Sequence, residues 1–205
     1  MITREEARAL YAGAEMVHDF DHVLRVLALA ERIGAAEGAD MDIVRTAVLL
    51  HDTERARADR EGGDHAEMAA ARARTLLAGA NPAFVEAVAH AIHAHRFRND
   101  MSPRTLEAQV VFDADKLDAI GAVGVARAFS FGGLHGQRLW AAAIPAGYDG
   151  HDFGDEHTPR HEFTYKLAQI KDRLYTPTGR AIAEARHRFM AAFFARMADE
   201  VAGRA

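Results

Sequence analysis

Four side chains in three separate stretches of this chain have the types and order of a divalent-metal site. His22 lies in HDFDHVLRV, His51 and Asp52 end the apolar run AVLLHD, and Asp115 lies in FDADKLDA. Two imidazoles and two carboxylates suit a borderline-to-hard cation and leave coordination positions for water and substrate. An HD dipeptide alone carries little information, and the ordered set of three segments is the signal. The chain has no cysteine, so disulfides, thiolate metal sites and a cysteine nucleophile are excluded. Any metal is held by nitrogen and oxygen, and 12 histidines leave no shortage of donors.

Helices must aim these side chains. Val44, Ala47, Val48 and His51 follow the i, i+3, i+4, i+7 spacing of one helical face, which turns His51 toward the core. His22, Val26, Leu29 and Ile33 form a second stripe, and His18 shares a side with His22 if the helix is continuous there. A lone inward histidine usually bonds a backbone carbonyl; the matching inward pair His51-Asp52 shifts the reading of His22 toward a ligand. A buried carboxylate such as Asp52 needs a partner, and a metal satisfies it together with the imidazoles. In the third segment Asp113, Asp115 and Asp118 crowd among Val110, Val111, Phe112, Leu117 and Ile120, and packing alone does not explain three acids there. Asp115 is read as the ligand, Asp118 as a partner that orients a ligand histidine, and Asp113 as a solvated acid.

Alanine, leucine, glutamate and arginine dominate, and β-branched runs are scarce, so the expected class is all-α. The periodicity predicts helices near 3–18, 20–37, 40–52, 64–79, 82–95, 103–116, 118–130, 161–174 and 178–202. Thr3 with Glu6 forms a capping-box pattern, Asp40 and Asn81-Pro82 mark helix starts, Gly38 marks a helix end, and Ser102-Pro103 marks another start. Residues 132–160 hold six glycines and two prolines with little periodicity. They are expected to form a long irregular loop, either a lid facing the substrate or a plain surface excursion.

The 205 residues suit a single domain over 1–205, with enough apolar chain (49%) to bury a core. The net charge of −5 disfavours a nucleic-acid partner held by the global field. The first residues, MITREEARAL, lack the basic start and apolar core of a signal peptide, and no apolar run approaches a membrane span. The expectation is a cytoplasmic protein without a membrane partner. Oligomeric state is not legible.

The three segments resemble the HD-domain superfamily of metal-dependent phosphohydrolases. The likeness extends through DHAEMAAARA at 64–73, AVAHAIHAHRF at 87–97, ARAFSFGG at 126–133 and TGRAIAEARHRFM at 178–190, and so covers most of the chain. It is similar to a compact bacterial branch that includes nucleotide pyrophosphohydrolases. The resemblance implies an all-α HD-domain helical bundle with the metal in a central cleft, and His22, His51, Asp52 and Asp115 as ligands. It implies Mn2+ or Mg2+, or another first-row divalent ion, as cofactor, and attack of an activated water on phosphorus in a small phosphorylated substrate such as a nucleotide.

Some relatives place an acid just after the dyad to position or deprotonate water, which makes Glu54 in HDTER a candidate general base beside Asp52. Others bind a second metal through histidines between the dyad and the last aspartate. Here His65, His90, His93 and His95 occupy that interval, with Glu67 beside His65; each is read singly as a surface or supporting residue, and the site as mononuclear. Phosphate recognition needs cations, and the candidates are Arg25, Arg96, Arg98, Lys116, Lys166 and Lys171. No P-loop, no G-x-S-x-G elbow and no GYP signature occurs in the chain. The competing readings are a non-catalytic metal- or nucleotide-binding module and, further off, a di-iron oxygenase.

Overall fold

The computed structural model describes residues 2–11, 20–96, 101–141 and 157–205; within them the chain is helical and no strand occurs. The helices are α1 (Arg4–Leu10), α2 (Phe20–Glu37), α3 (Met41–Leu50), α4 (Arg55–Glu61), α5 (His65–Leu76), α6 (Pro82–His93), α7 (Leu106–Asp118), α8 (Gly121–Leu134), α9 (Pro159–Tyr165) and α10 (Pro177–Val201). A 3₁₀ segment, Leu167–Asp172, follows α9. The all-α expectation holds.

The helix starts are set by side chains that satisfy free backbone N–H groups. Thr3 and Glu6 form the reciprocal capping box at α1, Asp40 accepts from Asp42 N and Ile43 N at α3, and Asn81 accepts from Ala83 N at α6. Gly38 ends α2 at φ 79°, a conformation that favours glycine. The helix expected from residue 103 begins three residues later, because the Thr105 hydroxyl takes the Ala108 N–H at 3.2 Å.

Three stretches depart from expectation. α4 has one buried residue, Ala58, so it carries no apolar stripe for periodicity to detect. Its support is electrostatic, from the i, i+4 pairs Arg55–Asp59 and Arg57–Glu61. α8 continues through Gly132 and Gly133, which were expected to open the irregular loop. A Cβ on Gly132 would lie 3.6 Å from Pro159 Cγ, so the bare backbone allows α8 and α9 to lie close. The helix expected over 161–174 starts instead at Pro159, where Thr158 and His161 form a capping box, and it gives way to the 3₁₀ segment after Lys166. The expected helical stretch 12–18, His18, Arg98 and residues 142–156 of the expected lid lie outside the described residues.

The chain forms two compact units. One comprises residues 1–115 with 174–179, and the other 116–173 with 180–205. In the first, α3 packs against α2, α6 and α1, while α5 lies on α6 and α4 on α5. Its core is built from Val23, Val26, Ala30 and Ile33 of α2, Val44, Ala47 and Val48 of α3, and Val88, Ala89 and Ile92 of α6, all fully buried. In the second, α8 packs on α9, and Phe129 meets Phe194, which stacks on Phe163 with ring centroids 4.8 Å apart. No single helix among the described residues is long and apolar enough to cross a membrane.

Candidate metal centre

The predicted stripes deliver their histidines inward. His22, near the start of α2, and His51, at the C-cap of α3, are both buried. The His51 ring is fixed by its own helix, since Nδ1 lies 2.7 Å from the Val48 carbonyl oxygen. That bond places the ring proton on Nδ1 and leaves the Nε2 lone pair directed into the site.

Asp52 and Asp115 close the arrangement. His22 Nε2 lies 3.4 Å from Asp115 Oδ1 and 3.9 Å from Asp52 Oδ2. His51 Nε2 lies 3.7 Å from Asp52 Oδ2 and 3.9 Å from Asp115 Oδ1. These separations exceed hydrogen-bond lengths. They fall within the range of roughly 3 Å (cis) to 4.2 Å (trans) between ligand atoms about 2.1 Å from one cation. His51 Nε2 and Asp52 Oδ1 are buried and have no hydrogen-bond partner, an arrangement that costs free energy unless an ion or water is held there. The donor set therefore fits a divalent cation, and the structure brings together all four residues singled out from the sequence.

The site is larger than expected. His65, at the first position of α5, and His95, just past α6, are buried and face the other oxygen of Asp52, at 3.4 and 3.7 Å from Oδ1. His65, His95 and Asp52 form a second triad able to hold a cation. His95 repeats the device of His51, with Nδ1 2.6 Å from the Ile92 carbonyl oxygen. Their burial excludes the surface placement and is compatible with a supporting one. His95 continues the buried stripe Val85, Val88, Ile92, and His65 continues the stripe Ala66, Ala69, Ala73, so the signal was present. His90 and His93 lie off the stripe; His90 Nε2 accepts the Arg104 N–H at 3.1 Å.

Electrostatics complete the picture. Burial opposes ionisation of Asp52, but the fields of His51, His95, His22 and His65 outweigh it and hold the carboxyl well below its usual range. Burial pushes His65 down to about 4, and the nearby Arg55 and Arg96 act in the same sense against Asp52 and Asp64. His65 is thus neutral at physiological pH, the form that ligates. The unfolded chain takes up a proton near pH 6.5 and the folded chain near 4. The stability tied to a neutral His65 is therefore complete above pH 6.5 and is lost as the pH falls through 4, by up to about 3 kcal/mol. Denaturant unfolding of chelator-treated protein at pH 7 and 4.5 should show a larger loss for the native chain than for His65→Asn; equal losses would contradict this origin.

Tyr11, which carried no sequence signal, braces the dyad. Its hydroxyl donates to the Leu49 carbonyl oxygen at 3.2 Å and accepts the Asp52 N–H at 3.4 Å. Burial, with the Asp52 charge behind it, keeps the phenol protonated well above its ordinary range.

The remaining predicted residues are placed as follows. Glu54 is buried at the N-cap of α4, with one carboxylate oxygen on Arg72 and the other 3.6 Å from Arg57. Arg25 is half-buried on α2, one turn past His22. Arg96 is held by Asp64 at 3.1 Å; this pair joins residues adjacent to His65 and His95. Lys116, Lys166 and Lys171 belong to the second unit, where Lys166 pairs with Glu162 and Lys171 with Asp172. Asp118, expected to orient a ligand histidine, bonds Arg127. Asp113, expected to be solvated, is fully buried.

Known proteins match both the sequence and the shape. The sequence profile of the HD domain matches residues 19–120, a span that contains every residue of the candidate donor set. YpgQ of Bacillus subtilis is 36% identical over 192 residues, covering 91% of this chain and 85% of that protein. The crystal structure of YpgQ in complex with ADP superposes with a TM-score of 0.74 at 31% identity, over 99% of this chain and all of that one. An HD-superfamily hydrolase from an uncultured Thermotogales bacterium gives a TM-score of 0.69 at 30% identity, over 96% of this chain and 90% of that one. The domain profile ends at the helix carrying Asp115, and the likeness in sequence and shape runs on nearly to both ends, so this chain belongs to the HD domain family.

Proposed function

We propose that the chain is a divalent-metal-dependent phosphohydrolase of small phosphate esters or anhydrides, with nucleotides as substrates. The observation that carries this reading is the buried donor cluster: His22, His51 and Asp52 lie together beside Asp115, and His51 Nε2 is buried without a hydrogen-bond partner. The ADP bound by YpgQ supports the nucleotide. A cation held here supplies Lewis-acid chemistry, lowering the pKa of a water and screening phosphate charge. His22, His51, Asp52 and Asp115 bind it, and Mn2+ or Mg2+ suits their mixed nitrogen and oxygen donors.

The protein's own groups do the rest. Asp52, kept ionised, and Tyr11, kept protonated, hold the dyad in one geometry. Arg25 and Lys116 flank ligands in the sequence and are assigned to substrate phosphate, with Arg96, Lys166 and Lys171 as further cationic candidates. Glu54 is a candidate to take a proton from water, but its pairing with Arg72 and Arg57 competes with that job and favours a role in orienting those guanidinium groups. A second reading, in which Asp52, His65 and His95 would hold a further cation, is favoured by the closeness of these three residues.

The test is a titration with Mn2+ followed by assays on nucleoside mono-, di- and triphosphates. Phosphate or diphosphate release that requires the metal is expected, and the bound equivalents, one or two, separate the two metal counts. No release of either product, with Asp52→Ala indistinguishable from the native chain, would leave a non-catalytic metal- or nucleotide-binding module in its place.

A further inference from the structure

The buried histidines His65 and His95 sit at the open end of a helical hairpin. α5 and α6 lie on each other and are joined by residues 77–81. Near the closed end, Arg74 and Glu86 pair at 2.8 Å. The same antiparallel register sets Asp64 against Arg96, at 3.1 Å, and His65 against His95, with ring centroids 5.3 Å apart. We propose that Asp64 and Arg96 are positioning residues, whose ion pair clasps the open end of the hairpin and holds both imidazoles against Asp52. The inference rests on the phosphohydrolase reading for its use, though not for the geometry it predicts.

Each end of the clasp is tied to a histidine. Asp64 Oδ1 caps α5, accepting the Ala66 N–H at 2.8 Å and the Glu67 N–H at 3.4 Å, so the helix that begins at His65 fixes this carboxylate. Asp64 Oδ2 takes the guanidinium of Arg96, the residue after His95. His95 lies past the last residue of α6, and at a helix end the regular ladder of backbone bonds stops. Both imidazoles nevertheless bring Nε2 to one oxygen, Asp52 Oδ1, at 3.4 and 3.7 Å. Two side chains from opposite ends of two helices meet one atom only if those ends are held together.

Magnitudes separate positioning from folding. The pair is partly exposed, and water competes with such a pair, so it adds little to global stability. A metal site is more demanding, because its donors must stay within about 0.5 Å of their places. Residues that orient ligands change metal affinity by roughly 10–100-fold when lost. The sign of the Arg96 charge gives a clean discriminator. A guanidinium repels a cation, so on charge alone its removal tightens metal binding. Removal of a clasp weakens it.

The experiment compares the native full chain with Arg96→Ala, Arg96→Lys and Asp64→Asn, the last of which keeps the cap and loses the charge. In metal-free protein, a nuclear Overhauser contact between the His65 and His95 rings is expected for the native chain and Arg96→Lys. It should lose most of its intensity in Arg96→Ala and Asp64→Asn. Mn2+ affinity by calorimetry should fall about tenfold in Arg96→Ala and Asp64→Asn and be largely restored in Arg96→Lys. Tm should move by about 2 °C or less in all three. An undiminished ring contact in Arg96→Ala, or Mn2+ binding as tight as the native chain's or tighter, overturns the proposal. If Arg96→Ala raises KM for a nucleoside triphosphate with Mn2+ affinity unchanged, Arg96 is a phosphate contact and the proposal is likewise overturned. If the ring contact depends on Arg96 in a protein that hydrolyses no nucleotide, the clasp stands and the phosphohydrolase reading fails.

Discussion

Asp52→Ala should yield a folded protein that holds almost no divalent metal and has lost nearly all turnover. Asp52 supplies Oδ2 to the group formed with His22 and His51, and Oδ1 to the group formed with His65 and His95, so its removal takes a ligand from both sets at once. Losing a residue that merely supports a ligand costs roughly 10–100-fold in metal affinity or activity, and losing a shared anionic ligand should exceed about 100-fold in both. The fold should survive. The backbone N–H of residue 52 keeps its bond to the Tyr11 hydroxyl, and alanine adds no unpaired polar group. The check is elemental analysis and nucleotide hydrolysis on protein whose circular dichroism and Tm match the native chain, with the exposed Asp59→Ala as control. Full metal content in Asp52→Ala would remove the dyad from the site.

The largest effect on stability is expected at Asp113→Ala. The carboxylate is fully buried and accepts three hydrogen bonds: Tyr175 N at 2.9 Å, Thr176 N at 2.8 Å and Thr176 Oγ1 at 2.6 Å. Truncation leaves these donors buried without the acceptor they were built around. A hydrogen bond to a charged group is worth about 1.5–3 kcal/mol, so the three together put the loss at about 4.5 kcal/mol or more and the fall in Tm at about 10 °C or more. Gly179 belongs to the same knot, because a Cβ there would lie 2.5 Å from Asp113 Oδ2 and 2.7 Å from Thr176 Oγ1. Gly179→Ala should therefore cost about 1–3 kcal/mol through crowding. Thermal unfolding of both variants checks this, and a change in Tm below about 2 °C for Asp113→Ala would mean the three donors find other partners. Asp113 and Asp115 stand two residues apart, hence on roughly opposite sides of α7. One side of that helix faces His22 and His51 through Asp115, and the other ties down the segment 174–179 through Asp113.

The candidate site was legible in the sequence to the extent that its histidines lay on periodic stripes. His22 and His51 occupy inward positions on α2 and α3, and the stripe alone predicts that. His65 at the start of α5 and His95 just past α6 occupy equivalent positions, but a single inward histidine is usually a core residue and carries no signal alone. The pattern in AHAIHAHRF separates His95 from His90 and His93 only when the phase of Val85, Val88 and Ile92 is carried across the helix end. α4 escaped because periodicity registers apolar faces, and this helix is held by ion pairs along one turn. Tyr11 had no sequence signal of any kind, since its contacts are with residues distant along the chain.

The sequence by itself determined the all-helical class, the starts of α1, α3 and α6, and the direction in which His22 and His51 point. Caps and 3.6-residue periodicity act within a few residues, so they are written locally. The resemblance of three ordered segments implied which residues form the donor set. Only the tertiary structure decided which inward faces share a space. It put His65 and His95 on the far oxygen of Asp52, gave Asp113, Asp115 and Asp118 three separate partners, and joined Asp64 to Arg96. Helical phase specifies a direction for each side chain, whereas the atom it meets depends on how the helices pack across long loops.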